Sequence, residues 1–308
     1  MRRVLIVVIL VVAAAVLGLW RTHGGVRQGL GRAVGMSSDD SQAETRDEIR
    51  KSFELQPGAR LEVQGFNGKV EIQTSDTKTA EVYVLRTASS SDSLSRREVI
   101  IEQTPTGLLV RSKEARHLGI WEHLFGRNPK EEVTIKAPRA IALALKGING
   151  GVRTGDIDGP LEVKGINGRV ELGAASQYAE IGGINGNVVV GLKDLGERGA
   201  RLSGINGAIE LRLESGLNAD LTTKAINGNV RSDISEVSVN KDEHGSRYSA
   251  HIGNGGAPIT LSGINGNVRL TRAGNTAATA TTSDKKAATT IQKEVKATES
   301  KDAKNSGQ

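Results

Sequence analysis

The residue types that carry most enzymatic and metal chemistry are scarce or badly spaced in this chain. Cysteine is absent, which excludes a thiolate nucleophile, a disulfide framework and a Cys-based zinc site. The five histidines, His23, His117, His123, His244 and His251, form no His-x-x-x-His pair that would place two imidazoles on one helix face. Asp156 and Asp158 flank a turn before Gly159-Pro160. Two carboxylates there fit Asx-turn chemistry better than a calcium loop, which needs several oxygen ligands. Gly253-Asn254-Gly255-Gly256 lacks the strand, turn and helix setting of a phosphate cradle. No Gly-x-Ser-x-Gly elbow is found, and no Asp/Glu pair stands out for glycosidic acid–base work. A polysaccharide-cleaving site converging from Arg, Lys and Asp on neighbouring repeats would be invisible in sequence. Aromatic residues are only 3% of the chain, however, and sugar platforms usually need Trp or Tyr faces. The reading is therefore non-enzymatic, with no catalytic, cofactor-binding or metal-binding residue assigned and no cofactor expected.

The polar residue that does recur at fixed spacing is asparagine, always inside a short motif. Gly147-Ile148-Asn149-Gly150 returns at Gly165-Ile166-Asn167-Gly168, Gly183-Ile184-Asn185-Gly186, Gly204-Ile205-Asn206-Gly207 and Gly263-Ile264-Asn265-Gly266. Gly65-Phe66-Asn67-Gly68 and Ala225-Ile226-Asn227-Gly228 are variants. From residue 147 the steps are 18, 18, 21, 21 and 38. The last is twice 19, which points to one unit near His244-Gly245 that has lost its signature. Asn and Gly both tolerate a positive φ, as a tight reversal demands. Structural repeat turns are accordingly assigned to Asn67, Gly68, Asn149, Gly150, Asn167, Gly168, Asn185, Gly186, Asn206, Gly207, Asn227, Gly228, Asn265 and Gly266. If the units stack, these asparagines form an amide ladder.

Around each motif the apolar residues alternate with polar ones. Val63, Leu145, Val163, Ile181, Leu202, Thr223 and Leu261 stand two residues before it, and Val70, Val152, Val170, Val188, Ile209, Val230 and Val268 five after its first residue. This is the period of half-buried strands. Two architectures satisfy it: a β-solenoid with one unit per coil, or an antiparallel meander in which each Asn-Gly is a hairpin turn. The near-identity of every unit, including the isoleucine inside the turn, favours stacking of each unit on its copy. The expected fold is all-β, a single-stranded parallel β-solenoid (β-helix) of 18–21-residue coils.

The flanks read differently. Val4–Trp20 is apolar behind Arg2 and Arg3, and at 1.5 Å per residue its 17 residues make about 26 Å of helix. Residues 1–20 are assigned as a transmembrane signal anchor, a cleaved signal peptide ending near Ala13-Ala14-Ala15 being the rival. Residues 21–52 read as a stalk and 273–308, rich in Ala, Thr, Ser and Lys, as a disordered tail. Residues 53–272 form the repeat domain, irregular over 73–138 and regular over 140–272. Leu118, Ile120, Trp121, Leu124 and Phe125 make a short amphipathic segment, a cap over one end or a membrane-surface contact. The expected location is the cytoplasmic membrane, single-pass, with the body extracytoplasmic, in the periplasm or at the cell surface. Net charge is +6, but 41 basic residues are interleaved with 35 acidic ones, which argues against nucleic acid as a partner.

At Phe53…Pro57-Gly58…Leu61-Glu62-Val63…Asn67-Gly68-Lys69-Val70-Glu71-Ile72, at the Asn-Gly-x-Val units, and at His251–Ile259, the chain resembles the bacterial GIN-type putative adhesin family, adhesin-like β-repeat domains of unknown function. The resemblance covers residues 53–272 and implies a parallel, single-stranded β-helix of cell surfaces and envelopes, without catalytic residues to carry over. The segment 115–129 departs from the family pattern. Two functions compete on this reading. One is an adhesin or scaffold presenting a repetitive surface, with Lys146, Arg153, Lys164 and Glu171 on long faces of mixed charge, in contact with envelope polymer or another envelope protein. The other is a regulatory or stress-response partner of a second membrane protein.

Overall fold

A computed structural model describes residues 44–114, 129–242 and 247–274. The proposed anchor at 4–20, the stalk up to 43, the amphipathic stretch 115–128 and the tail beyond 274 lie outside the described residues. Among the described residues no helix is long and apolar enough to cross a membrane.

The described chain is all-β. Strands β1 (Thr45–Glu54), β2 (Arg60–Gln64), β3 (Val70–Ser75) and β4 (Thr79–Ala88) precede the one-turn helix α1 (Ser91–Ser95), the hairpin of β5 (Arg97–Thr104) and β6 (Gly107–Glu114), and β7 (Lys130–Pro138). The repeats supply β8 (Ala142–Ile148), β9 (Val152–Thr154), β10 (Leu161–Asn167), β11 (Val170–Asn185), β12 (Val188–Asn206), β13 (Ile209–Leu213), β14 (Ala219–Asn227) and β15 (Val230–Ser232). Then come β16 (Val239–Lys241), β17 (Tyr248–Ile252), β18 (Ala257–Asn265) and β19 (Val268–Arg272). Residues 45–52, placed in the stalk by composition, are thus most of β1, held in a ten-residue antiparallel register with β4.

Equivalent residues of successive repeats pair in parallel and in register: Ile148 with Ile166, Ile166 with Ile184, Ile184 with Ile205. The hairpin alternative fails for these repeats because hairpin strands run antiparallel. The apolar columns face inward. Val163, Ile181, Leu202 and Leu261 are fully buried, as are Val170, Val188 and the turn residues Ile166, Ile205 and Ile264 to within 1%. Each such side chain contributes roughly 1.5–3 kcal/mol by leaving water. A further buried column, Ile157, Ala175 and Leu192, falls in the arcs between motifs, where varying unit length hides the period.

Spatial order departs from chain order at both ends. β18 pairs with β12 on one side and β14 on the other, and β19 likewise lies between β13 and β15. The tier carrying Asn265 therefore sits between those carrying Asn206 and Asn227. This corrects the reading of the 38-residue step as a coil without its signature: the described strands on either side of residues 243–246 pair antiparallel. After β15 the chain leaves the stack, forms the antiparallel β16–β17 pair, lays β17 against the outer edge of β14, and returns to insert β18 and β19. At the other end β2 lies between β6 and β8, and β3 between β7 and β9. Here too the outer tier meets antiparallel strands, β5 on β6 and β4 on β7. The common cause is the open edge of a terminal tier, which must be covered to prevent pairing with another chain.

Candidate interaction surface

The fourteen assigned turn residues fall on one line running along the stack. The Asn149 Nδ2 donates to Asn67 Oδ1 at 3.0 Å, Asn167 to Asn149 at 3.1 Å, Asn185 to Asn167 at 3.2 Å and Asn206 to Asn185 at 3.2 Å. Asn265 then donates to Asn206 and Asn227 to Asn265, both at 3.0 Å. At the far end Asn67 Nδ2 donates to the Pro129 carbonyl. All these bonds point the same way, so the amide dipoles align along the line. The asparagines themselves do not have positive φ, contrary to the reading that placed Asn there for a left-handed backbone; among described non-glycine residues only Gln177 and Ala225 do. Asn is needed for its amide, which can donate to one neighbour and accept from the next.

The two glycines of the motif differ physically. The first has φ near +60°, as at Gly165 (+67°), and in the repeats from Gly147 onward there is room around it: at Gly165 a Cβ would meet nothing nearer than 3.6 Å, whereas at Gly65 it would run into the Ser112 carbonyl oxygen. Ala225 occupies the equivalent position at +54°, so a side chain fits at the cost of backbone strain. The fourth glycine has no room. At Gly168 a Cβ would lie 2.6 Å from the Gly150 carbonyl carbon and closer to its oxygen. Its N–H donates to the Asn185 carbonyl of the next tier at 3.1 Å. This close backbone approach accounts for the substitution at residue 225 and the absence of one at residue 228.

The charged faces are internally neutralised. Glu162 accepts from Arg60 at 2.9 Å and lies 3.0 Å from Lys164 and 3.7 Å from Lys146; Lys146 also reaches Glu62, and Lys164 reaches Glu180. Burial raises the Glu162 pKa, but the hydrogen bonds from Arg60 and Lys164 and the charge of Lys146 outweigh it and hold the group down at about 2. On the next face Glu171 sits between Arg153 at 2.6 Å and Arg169 at 2.5 Å, which together overcome burial and lower its pKa. Lys146, Arg153, Lys164 and Glu171, expected to greet a polymer, are instead engaged in ion pairs within the chain. Exposed pairs of this kind add little affinity for an outside charge, since binding must first separate them.

Asp156 also has a structural role: its Oδ1 accepts from the Ala174 amide of the next tier at 2.8 Å. In the Gly-rich loop the Gly256 amide donates to Asp220 and the Asn254 amide to Asn218, so its amides serve the chain itself. His251 lies 2.6 Å from Asp220 on an exposed face. Among the described residues no group of His, Asp and Glu is placed to hold a metal ion.

A better candidate surface is the outer face of the β1–β4–β7 ribbon. Register places Arg50 and Thr134 on either side of Tyr83, and Ser52 and Lys136 on either side of Glu81. The Arg50 guanidinium lies 4.8 Å from the centre of the Tyr83 ring, a cation–π contact. Lys136 reaches Glu81 at 3.1 Å. These residues, with Lys51, line an open concavity of about 570 Å³. Sequence reasoning missed it because Arg50 and Lys51 were assigned to a stalk. The available signal was the two-residue parity of Ile49 and Phe53, which pack inward on β1.

No family model matches the chain, and neither does any curated protein. Solved structures with likeness include a putative cell adhesion protein from Clostridium sporogenes, 13% identical over 73% of this chain and all of that one, TM-score 0.37. Others are a putative adhesin from Bacteroides fragilis, 8% identical over 73% of this chain and 97% of that one, TM-score 0.28, and one from Parabacteroides merdae, 11% identical over 73% and 96%, TM-score 0.27. At these scores the likeness assigns no activity to this chain.

Proposed function

We propose that the chain is a non-enzymatic envelope module, an adhesin or scaffold, whose body is a rigid β-solenoid held to the cytoplasmic membrane through residues 4–20 and exposed on its outer side. The observation that carries this reading is the unbroken amide line from Asn67 to Asn227, because copies of one turn locked in register make a stiff body whose repeats serve shape. The resemblance at residues 53–272 to GIN-type adhesin-like domains agrees with it. Adhesive contact is assigned to the Tyr83 face, where the ring, the Arg50 guanidinium over it and the hydroxyls of Ser52 and Thr134 are presented together, a chemistry suited to stacking and hydrogen bonding with envelope polymer.

The test is retention of the purified full chain on isolated cell envelopes. Combined substitution of Arg50, Tyr83 and Lys136 by alanine is expected to abolish retention, while Arg153→Ala leaves it intact. Equal retention of both variants overturns the assignment of the face. Turnover of any envelope polysaccharide overturns the non-enzymatic reading, and a protease-protected body in intact spheroplasts overturns the location.

A further inference from the structure

We propose that the slot between β1 and β5 is a docking site for an extended acidic peptide segment of a partner protein, bound by strand addition. Among the described residues β1 is paired only to β4 and β5 only to β6, so each presents an edge that no described strand covers. The two edges face each other. At one end they are pinned: Lys51 Nζ donates to the Ile101 carbonyl at 3.4 Å and Gln103 Nε2 to the Glu54 carbonyl at 3.3 Å. Those carbonyls also fix the parity of the edges. Main-chain groups in a strand alternate sides, so if Glu54 faces the slot, Glu48 and Arg46 do too, and if Ile101 does, Val99 follows. Towards Arg46 and Val99 the edges part around an open cleft of about 1040 Å³.

Two observations identify the occupant. The first is unmet main-chain hydrogen bonding on both walls, which an extended peptide satisfies on its two sides at once. The second is charge. Arg46, Arg86, Arg97 and Lys113 line the cleft; Asp47, the buried Glu131 and Glu98 pair with Arg86, Arg97 and Lys113 at 2.9, 3.3 and 3.3 Å, which leaves Arg46 as the excess positive charge of the slot. Arg86 is only 9% exposed. It reaches Asp47 at 2.9 Å and the carbonyls of Leu94 and Arg97, yet its Nε has no hydrogen-bond partner. That Nε is itself closed off from solvent, so a carboxylate on the incoming strand meets Arg46 on the cleft wall instead. Ile49 and Val99, half-buried on the walls, accept the apolar side chains that alternate with the acidic ones.

The probe is a fluorescein-labelled peptide of alternating glutamate and valine, titrated with the purified full chain by anisotropy. It is compared with a lysine–valine counterpart and with the acidic peptide N-methylated at alternate residues. Saturable binding of the first is expected, with the other two at least about tenfold weaker, since each lost main-chain bond or charge-assisted bond costs several-fold. Val99→Pro, which removes a slot-facing donor from an edge strand, is expected to weaken the acidic peptide by about tenfold. Should that variant unfold, the N-methylated peptide on the native chain decides alone. Arg50→Ala with Tyr83→Ala is expected to leave peptide binding unchanged, which separates this site from the envelope-polymer face. Absence of binding, or equal binding of the N-methylated or the lysine peptide, overturns the proposal.

Discussion

Replacing Gly168 by alanine tests whether the fourth motif residue is glycine for lack of space, with Gly165→Ala as its internal control. At Gly165 the new methyl has 3.6 Å to its nearest neighbour. The cost is the left-handed backbone at φ +67°, about 1–2 kcal/mol, partly offset by about 0.4–1 kcal/mol from a stiffer unfolded chain. The net loss is about 1 kcal/mol. At Gly168 the backbone, at φ +158°, costs about 1–3 kcal/mol for a non-glycine residue. The methyl must also displace the Gly150 peptide, 2.6 Å away at its carbonyl carbon, a further 1–3 kcal/mol or so of overpacking. The net loss is about 2–5 kcal/mol, which corresponds to a fall in melting temperature of about 5–15 °C for a body of this size. Far-UV circular dichroism against temperature and urea, on both variants and on Ala225→Gly, gives the ranking. Gly168→Ala should melt lowest and Ala225→Gly at or slightly above the parent. If Gly165→Ala is as damaging as Gly168→Ala, close tier packing is not the reason for the fourth glycine.

Asn167→Ala leaves Asn185 without an acceptor and Asn149 without a donor, so a loss of about 1–2 kcal/mol is expected in urea unfolding. Glu131→Ala removes a buried carboxylate that accepts from Ser112 at 2.6 Å and faces Arg97; stranding that guanidinium is expected to cost about 3–5 kcal/mol, read as a lowered urea midpoint. Glu162, with its folded pKa lowered to about 2, contributes stability that is present above its unfolded value near 4.3 and lost as pH falls towards 2. Its share is about 2 kcal/mol after allowance for solvent screening. Urea midpoints measured at pH 7, 4 and 2.5 should therefore fall less steeply in Glu162→Gln than in the parent.

The repeat itself was legible because stacking imposes identity. Val163, Ile181 and Leu202 must occupy one column, and Asn167, Asn185 and Asn206 one line, so the same letters recur at the same offsets. Period-two alternation told which of them face inward, and that held for every column residue from Val63 to Val268. The strand role of β1 was less visible. Ile49 and Phe53 are its only large apolar residues, and one apolar residue every four in a charged segment reads as a linker until a partner strand is known.

What the sequence determined by itself is therefore the unit: its two short strands, its Gly-Ile-Asn-Gly corner and its inward columns, all set by contacts within a unit or with an identical neighbour. What only the tertiary structure decided is which unit neighbours which. β18 displaces β14 from its place beside β12, because each of these strands offers the same columns and the same asparagine, and near-identical edges carry no address. The choice falls to the ends of the stack, where β17 and the β1–β4–β7 ribbon cover the outermost edges. The charge network followed from that order as well: Glu210 lies beside Arg269 rather than Arg231, and Arg60 reaches Glu162 across 102 residues of chain. Such pairings depend on lateral spacing between tiers, to which one-dimensional periodicity is blind.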